Sequence, residues 1–303
     1  LHGIILNIRP SSSAHAYRQV WTDEGSPLLA IAKRQAAAIS SALEQQLNSP
    51  VKVELAMRYG SPSVESALEK LRQANVQHLL IVPLYPQYSA STSASTFDAV
   101  ADVLKKWRWL PHLRMVMDYH KHGQWINAVA QSIREHWQEH GRGEKLMMSF
   151  HGLPKKYLLN GDPYHCQCHA SARLIAEQLE LEQDQWQLVF QSRFGREEWL
   201  QPYCDKTLEA LPENGTKSVD IVCPGFSADC LETLEEVAMQ NRDIFLSAGG
   251  QQYAYIPALN DRPDHIQALV ELIVNNLQGW DSDETESERE SARQRALSMG
   301  AAQ

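Results

Sequence analysis

The chain has 303 residues, of which 43% are hydrophobic and 21% charged, and its formal net charge is −9. These values are typical of a globular protein long enough for two domains, and no apolar run reaches the roughly 18 residues that a membrane span needs. The negative charge argues against a general nucleic-acid binder, which needs clustered lysine and arginine, although a few local arginines could still hold a small anionic ligand.

Short apolar runs alternate with helical patterns, which predicts an α/β fold with mainly parallel strands. The chain starts at Leu1 inside an apolar segment, residues 1–8, and we expect it to be truncated at the N-terminus. The predicted strands are 51–57, 78–83, 113–118, 145–150, 187–191, 218–223 and 253–257. The predicted helices are 26–48, 63–74, 95–107, 124–140, 171–180, 228–245 and 263–278.

An internal repeat organises this pattern. Met57-Arg58-Tyr59-Gly60 leads through a helix to Ile81-Val82-Pro83-Leu84-Tyr85, and Ser192-Arg193-Phe194-Gly195 leads through a helix to Val222-Cys223-Pro224-Gly225-Phe226. The repeat predicts two Rossmann-like lobes with parallel sheets and a cleft between the carboxyl ends of their strands, where ligands bind in open α/β sheets. We assign residues 1–122 to the first lobe, which is incomplete at its N-terminus, and 123–260 to the second. Residues 261–280 form a C-terminal helix packing back towards the first lobe, and 281–303 form a disordered acidic tail.

Two residues are candidates for proton and metal chemistry at such strand ends. His151 follows a predicted strand, and imidazole exchanges protons near neutral pH; a histidine bonded to a main-chain carbonyl is the alternative. Glu232, Glu235 and Glu236 lie early in a predicted helix, where acidic residues are also ordinary partners of the helix dipole. The loop before Glu232 directs it towards the cleft. An imidazole and a carboxylate together suit ferrous iron and similar divalent metals.

Arginines and aromatic residues of the repeat are candidates for ligand binding. Arg58 and Arg193 occupy equivalent places and could pair with a carboxylate, although hydrogen bonds to loop carbonyls are an equal alternative. Tyr59, Tyr85, Phe194 and Trp199 could provide a flat apolar surface, with core packing as the alternative. We interpret residues 165–169, His-Cys-Gln-Cys-His, as a loop rather than a zinc site, because no second ligand pair is evident. No Walker loop or Gly-x-Gly-x-x-Gly motif indicates a nucleotide.

The sequence resembles the ferrochelatase family from about Tyr17 to Leu277, and its motifs are most similar to those of the proteobacterial members. The matching segments include Pro83-Leu84-Tyr85-Pro86-Gln87-Tyr88-Ser89, Ser149-Phe150-His151-Gly152-Leu153-Pro154, Gln191-Ser192-Arg193-Phe194-Gly195 and Cys223-Pro224-Gly225-Phe226-Ser227-Ala228-Asp229-Cys230-Leu231-Glu232. The strand and helix that open family members have no counterpart here, which agrees with an N-terminal truncation.

The resemblance implies insertion of ferrous iron into protoporphyrin IX to form protohaem, the last step of haem biosynthesis, by an enzyme of the lyase class. His151 matches the active-site histidine and Glu232 the acidic residue facing it, both implied as catalytic and as metal-binding. The positions matching the cleft lining are Arg58, Tyr59, Tyr85, Ser89 and Trp199. Protoporphyrin and coproporphyrin are not distinguished by the sequence.

The resemblance also bears on cofactors, partners and location. Some relatives carry an iron–sulfur cluster, but no cysteine follows Cys230 here, so we expect neither a cluster nor an organic cofactor. The five cysteines lack the spacing of a disulfide framework and indicate a cytoplasmic protein. We expect no nucleic-acid partner and possible peripheral membrane contact, and the oligomeric state is not fixed. The alternatives are a chelatase for another tetrapyrrole or metal and a non-catalytic porphyrin-binding protein.

Overall fold

Parallel strands form two separate sheets in the computed structural model of the protein, which describes residues 16–47, 49–280 and 286–301. The first sheet pairs β1 (His78–Ile81) with β2 (His112–Met115). The second has the order β4-β3-β5-β6, with β3 (Lys145–His151), β4 (Trp186–Gln191), β5 (Ser218–Val222) and β6 (Gln252–Ile256). Every pair is parallel, so the α/β class is confirmed.

Helices connect the strands and cover both faces of the larger sheet. They are α1 (Pro27–Gln46), α2 (Val64–Gln73), α3 (Ser93–Leu104), α4 (Gly123–His140), α5 (Lys155–Leu159), α6 (Tyr164–Gln178), α7 (Cys204–Ala210), α8 (Asn241–Ser247), α9 (Pro263–Leu277) and α10 (Glu286–Ser298). A π-helix, Glu232–Gln240, leads directly into α8. Within the described residues, no helix combines the length and apolarity needed to cross a membrane.

The larger sheet is buried on both faces, as parallel sheets covered by helices are. On one face, Met148 and Phe150 of β3 pack in a core with residues of α1, α4, α6 and α9. On the other face, Met147 packs with residues of β4, β5, α7 and the π-helix. Alternate side chains of one apolar strand therefore serve two cores, which explains why the 145–150 run has no polar face.

Helix α9, which corresponds to the helix predicted at 263–278, packs against elements associated with both sheets. It contacts α1 and β1 as well as α4. Near its end, Arg114 of β2 donates hydrogen bonds to the main-chain oxygens of Asn276 and Gln278 at 2.7 and 2.9 Å. The division of the chain at residues 122 and 260 stays a prediction.

The strand predicted at residues 51–57 was wrong. The segment lacks strand pairing, apart from a bridge between Met57 and Ser63. A strand requires a neighbouring strand to satisfy its main-chain groups, and residues 51–57 instead line a cavity whose wall also includes β1. Residues 1–8 lie outside the described residues.

Two further stretches are more helical than predicted. Residues 165–169 belong to α6 and are not a loop. The tail was predicted to be disordered, but residues 286–298 form α10, where the carboxylate of Glu290 accepts hydrogen bonds from Arg293 and Gln294. Side-chain pairs spaced by three and four residues stabilise a helix even without a buried face. Residues 281–285 lie outside the described residues.

Candidate active site

His151 is the last residue of β3 and lies at the carboxyl edge of the larger sheet. The five preceding residues are all buried, so packing on both faces fixes the strand that carries it. Nδ1 of His151 lies 2.7 Å from the main-chain oxygen of Gly152. Because a carbonyl only accepts, Nδ1 donates, and Nε2 carries the lone pair that can take up a proton or bind a metal ion.

Gly152 lets β3 and β4 approach closely beside His151. Its N–H donates to the main-chain oxygen of Gln191 at 2.8 Å. A Cβ at this position would lie 2.6 Å from that oxygen and 3.2 Å from the ring of Trp199. The position therefore requires glycine because there is no room for a side chain.

Glu232 is the first residue of the π-helix, a geometry that is rare and frequently found at functional sites. The loop before it is held by the buried carboxylate of Asp229, which accepts hydrogen bonds from the hydroxyl of Thr233 at 2.9 Å and the amide of Asn260 at 2.8 Å. The main-chain oxygen of Glu232 accepts a hydrogen bond from Nε2 of Gln191. These contacts fix the start of the π-helix relative to the sheet.

Glu236 lies four residues after Glu232 on the π-helix and is half-buried. Its carboxylate accepts hydrogen bonds from the main-chain N–H of Ser192, at 2.7 Å, and from the Ser192 hydroxyl. Burial raises the pKa of Glu236, while the hydrogen bonds from Ser192 and the charge of His151 act in the opposite direction. The sequence grouped Glu236 with Glu232 through their spacing of four residues, but that spacing assigned no role to Glu236.

A cavity of about 2130 Å³ follows the ends of β1, β3 and β5. It exceeds the roughly 300–1,000 Å³ of an ordinary small-molecule site. Its wall includes both His151 and Glu232, and the ring of Phe226 lies 6.4 Å from that of His151. The structure therefore brings the two candidate catalytic residues to one cavity large enough for a tetrapyrrole.

Four of the six candidate binding residues line the same cavity, namely Arg58, Tyr85, Ser89 and Trp199. The ring of Trp199 packs 4.8 Å from that of Phe194, which also lines it. The buried hydroxyl of Ser89 donates to Asp162 at 3.1 Å. Aromatic rings and an arginine in the lining of one cavity suit a planar ligand with anionic substituents.

The other two candidates, Tyr59 and Arg193, are not part of the cavity wall. Tyr59 is 76% exposed, and the guanidinium of Arg58 lies 4.7 Å from its ring centre. Arg193 forms an ion pair with Asp205 at 2.7 Å and lies 4.5 Å from the ring centre of Tyr203. The geometry favours a structural role for Arg193, through an ion pair and not through the loop carbonyls named as the alternative, because its charge is already paired outside the cavity.

His165 and His169 face each other on α6, with ring centres 4.5 Å apart. Burial lowers the pKa of both imidazoles. Across the part of the chain that the structure describes, no group of three or more histidine, cysteine, aspartate or glutamate side chains is arranged to hold a metal ion.

Comparison with known proteins identifies close relatives. A family model described as ferrochelatase matches residues 1–277. A ferrochelatase from Thioalkalivibrio sulfidiphilus (strain HL-EbGR7) is 57% identical over 308 residues, which cover 99% of this chain and 84% of that protein. A ferrochelatase from Nitrosococcus oceani is 56% identical over 310 residues, which cover 100% of this chain and 84% of that protein.

Solved structures share the fold at low sequence identity. SirB from Bacillus subtilis with Fe³⁺ has a TM-score of 0.59 at 13% identity, covering 81% of this chain and 89% of that one. CbiX, described as the terminal enzyme for siroheme biosynthesis in denitrifying bacteria, has a TM-score of 0.56 at 16% identity, covering 82% of this chain and 92% of that one. These similarities show that the architecture is the chelatase fold.

Proposed function

The chain belongs to the ferrochelatase family, and from this premise we propose that His151 and Glu232 carry out the metal insertion. The enzyme inserts ferrous iron into protoporphyrin IX in haem biosynthesis. One Fe²⁺ replaces two pyrrole N–H protons, and both protons are released without a change of oxidation state. The site must therefore accept protons and guide a cation to the ring.

His151 is proposed as the base that takes up a pyrrole proton. The observation that supports this role is the hydrogen-bonding state of its ring: Nδ1 donates to the oxygen of Gly152, which leaves Nε2 to accept. The five buried residues before it in β3 hold the main chain at His151 in place and so limit motion of the imidazole. A base held in place loses less entropy when it meets the substrate.

Glu232 is proposed as the group that attracts the ferrous ion or relays the second proton. It lines the cavity with His151, and an imidazole with a carboxylate is a suitable donor pair for ferrous iron. Negative charge on one wall of a partly apolar cavity raises the local concentration of a cation.

The porphyrin is proposed to lie against Trp199, Tyr85 and Phe226, with Arg58 near an anionic substituent. All four line the cavity. Binding energy from these apolar contacts can be used to bend the flat ring and expose a nitrogen lone pair to the metal.

We also propose a cytoplasmic location, supported by five free cysteines, four of them buried. The absence of an organic cofactor and of an iron–sulfur cluster stays a prediction, as does peripheral membrane contact.

The decisive experiment is an anaerobic assay of ferrous insertion into protoporphyrin, followed by the loss of porphyrin fluorescence and the appearance of haem absorbance. Coproporphyrin as substrate and Co²⁺ as metal are run in parallel. Preferred turnover of Fe²⁺ with protoporphyrin is expected. Tight porphyrin binding by the folded protein without any metallation would overturn the assignment and favour a porphyrin-binding protein.

A further inference from the structure

The loop between β1 and α3, residues 82–92, forms part of the cavity wall and carries Tyr85, a proposed contact of the porphyrin. The loop follows a strand of the smaller sheet, but it is held by α6, a helix that packs on α4 and on β4 of the larger sheet. Oε1 of Gln167 on α6 accepts the main-chain N–H of Tyr88 at 2.6 Å. A loop that follows one sheet is therefore held by a helix that packs on the other.

The carboxylate of Asp162, two residues before α6, holds the same loop at a second point. Its Oδ2 accepts the main-chain N–H of Ala90 at 2.7 Å and the hydroxyl of Ser89 at 3.1 Å. Its Oδ1 accepts the main-chain N–H of Tyr164, the first residue of α6, at 3.0 Å. Hydrogen bonds to an ionised acceptor are roughly twice as strong as those between neutral groups. Because both oxygens are used, the carboxylate is fixed between the loop and the helix.

The first turn of α6 also contacts the strand end that carries His151. The hydroxyl of Tyr164 donates to the main-chain oxygen of His151 at 2.9 Å. Asp162 and Tyr164 therefore connect two parts of the cavity wall, the loop after β1 and the end of β3. Asp162 itself does not line the cavity, so it can affect a ligand only through the residues that it holds.

We propose that Asp162 is a positioning residue for the porphyrin, because it holds loop 82–92 at a fixed spacing from the end of β3. The proposal rests on the function proposed above, since it takes porphyrin as the ligand that lies against Tyr85. A wall that is already in place does not have to be ordered by the ligand, and such pre-organisation increases affinity. Releasing the loop weakens porphyrin binding and leaves the chemistry at His151 intact.

Asp162→Asn tests the proposal, because the amide has no charge and only one oxygen, which cannot serve both the loop and α6. We expect the dissociation constant for protoporphyrin, from fluorescence titration, to rise roughly 10-fold. The kcat at saturating porphyrin should stay within about twofold of wild type.

Gln167→Ala releases the N–H of Tyr88 in the same loop and should weaken porphyrin binding in the same way. It carries the test alone if Asp162→Asn does not fold. Wild-type affinity in the folded variants would overturn the proposal. A loss of kcat at unchanged affinity would also overturn it, since a merely structural role lowers the active fraction and not the affinity.

The matched control is Glu144→Gln. The carboxylate of Glu144 also accepts a main-chain N–H, that of Lys217 at 2.6 Å, but it lies just before β3, at the opposite end of the strand from His151, and does not line the cavity. Its porphyrin affinity should be unchanged even if its thermal midpoint falls. An equal loss of affinity in Glu144→Gln would overturn the positioning role, because affinity would then follow general stability.

Porphyrin titration and the iron-insertion assay separate this proposal from the proposed function. A wild-type protein that binds porphyrin without inserting iron contradicts the function, while the effect of Asp162→Asn on affinity still decides the positioning role. An active wild type whose Asp162→Asn variant binds porphyrin equally well contradicts only the positioning role. A folded wild type that binds no porphyrin contradicts both.

Discussion

The side-chain amide of Gln191 links the two elements that carry the proposed catalytic residues, which are the strand β3 of His151 and the π-helix of Glu232. Its Nε2 donates to the main-chain oxygen of Glu232 at 3.2 Å, and its Oε1 accepts the hydroxyl of Ser149 at 2.6 Å. Ser149 precedes His151 by two residues in β3, and Gln191 is only 2% exposed. One buried amide therefore ties the strand that carries His151 to the start of the π-helix, which keeps both residues at one cavity.

We expect His151→Ala to lower kcat for ferrous insertion by at least about 100-fold, the usual contribution of a positioned general base. Porphyrin affinity, measured by fluorescence titration, should stay close to that of wild type, because other residues form most of the apolar wall. His140→Ala, at an exposed histidine that does not line the cavity, is the control. Turnover near wild type in His151→Ala would contradict the role of the imidazole.

Glu232→Gln removes one negative charge from the cavity wall and keeps the shape of the side chain. Weaker attraction of the cation should lower kcat/KM for iron by roughly 10–100-fold, measured under anaerobic conditions with varied Fe²⁺. Glu235→Gln is the matched control on the same π-helix, since Glu235 bonds to Gln240 and does not line the cavity. Equal losses in the two variants would indicate a general effect of charge and not a site.

Gly152→Ala should destabilise the protein and slow the reaction. Its Cβ would meet the main-chain oxygen of Gln191 at 2.6 Å, and neither strand can move without disturbing its packed neighbours. We expect the free energy of unfolding to fall by roughly 1–3 kcal/mol in urea titrations. Gly123→Ala, where a Cβ meets nothing within 4 Å, serves as the control and should change stability by less than about 0.5 kcal/mol. A stable Gly152→Ala protein would show that the strands tolerate the added carbon.

We expect the folded protein to lose stability in mild acid because of His265. It is fully buried in the first turn of α9, its Nδ1 lies 2.7 Å from the oxygen of Asn260, and its Nε2 has no partner among the described residues. Burial lowers the pKa of His265 below the value of about 6.5 in an unfolded chain. At a pH between the folded-state and unfolded-state pKa values of His265, the unfolded protein therefore binds more protons than the folded protein. The stabilisation that comes from burying the neutral imidazole is complete above about pH 6.5 and is lost as the pH falls towards the folded-state pKa.

His265→Asn tests this, because its amide can still donate to the oxygen of Asn260 but does not titrate. The contribution of His265 to the slope of unfolding free energy against pH is at most about 1.4 kcal/mol per unit. Urea unfolding between about pH 5 and pH 7.5 should show a shallower slope in the variant than in wild type. Identical slopes would mean that His265 does not contribute.

Positions whose environment is dictated by local pattern were predictable from the sequence. The apolar run of β3 can only be a doubly buried strand between helices, so His151 had to lie at a strand end. The repeated Pro and aromatic residues after β1 and β5 indicated that both loops face one cleft, and Tyr85 and Phe226 do line the same cavity. Motifs along the whole chain identified the family for the same reason. They contain residues that come together in the folded protein, although they do not show how those residues are arranged.

Tertiary structure alone decided the features that depend on a distant partner. Residues 51–57 have the composition of a strand, but apart from the bridge of Met57 to Ser63 they have no neighbour to pair with among the described residues. Arg58 and Arg193 occupy equivalent places in the repeat, yet only Arg58 lines the cavity, since Asp205 pairs with Arg193. The carboxylate of Glu236 accepts two hydrogen bonds from Ser192, which lies 44 residues away in the chain at the left-handed turn after β4. The sequence determines which groups are present and where the chain must bury apolar surface, whereas contacts between residues far apart in the chain decide which charges are paired and which face the substrate.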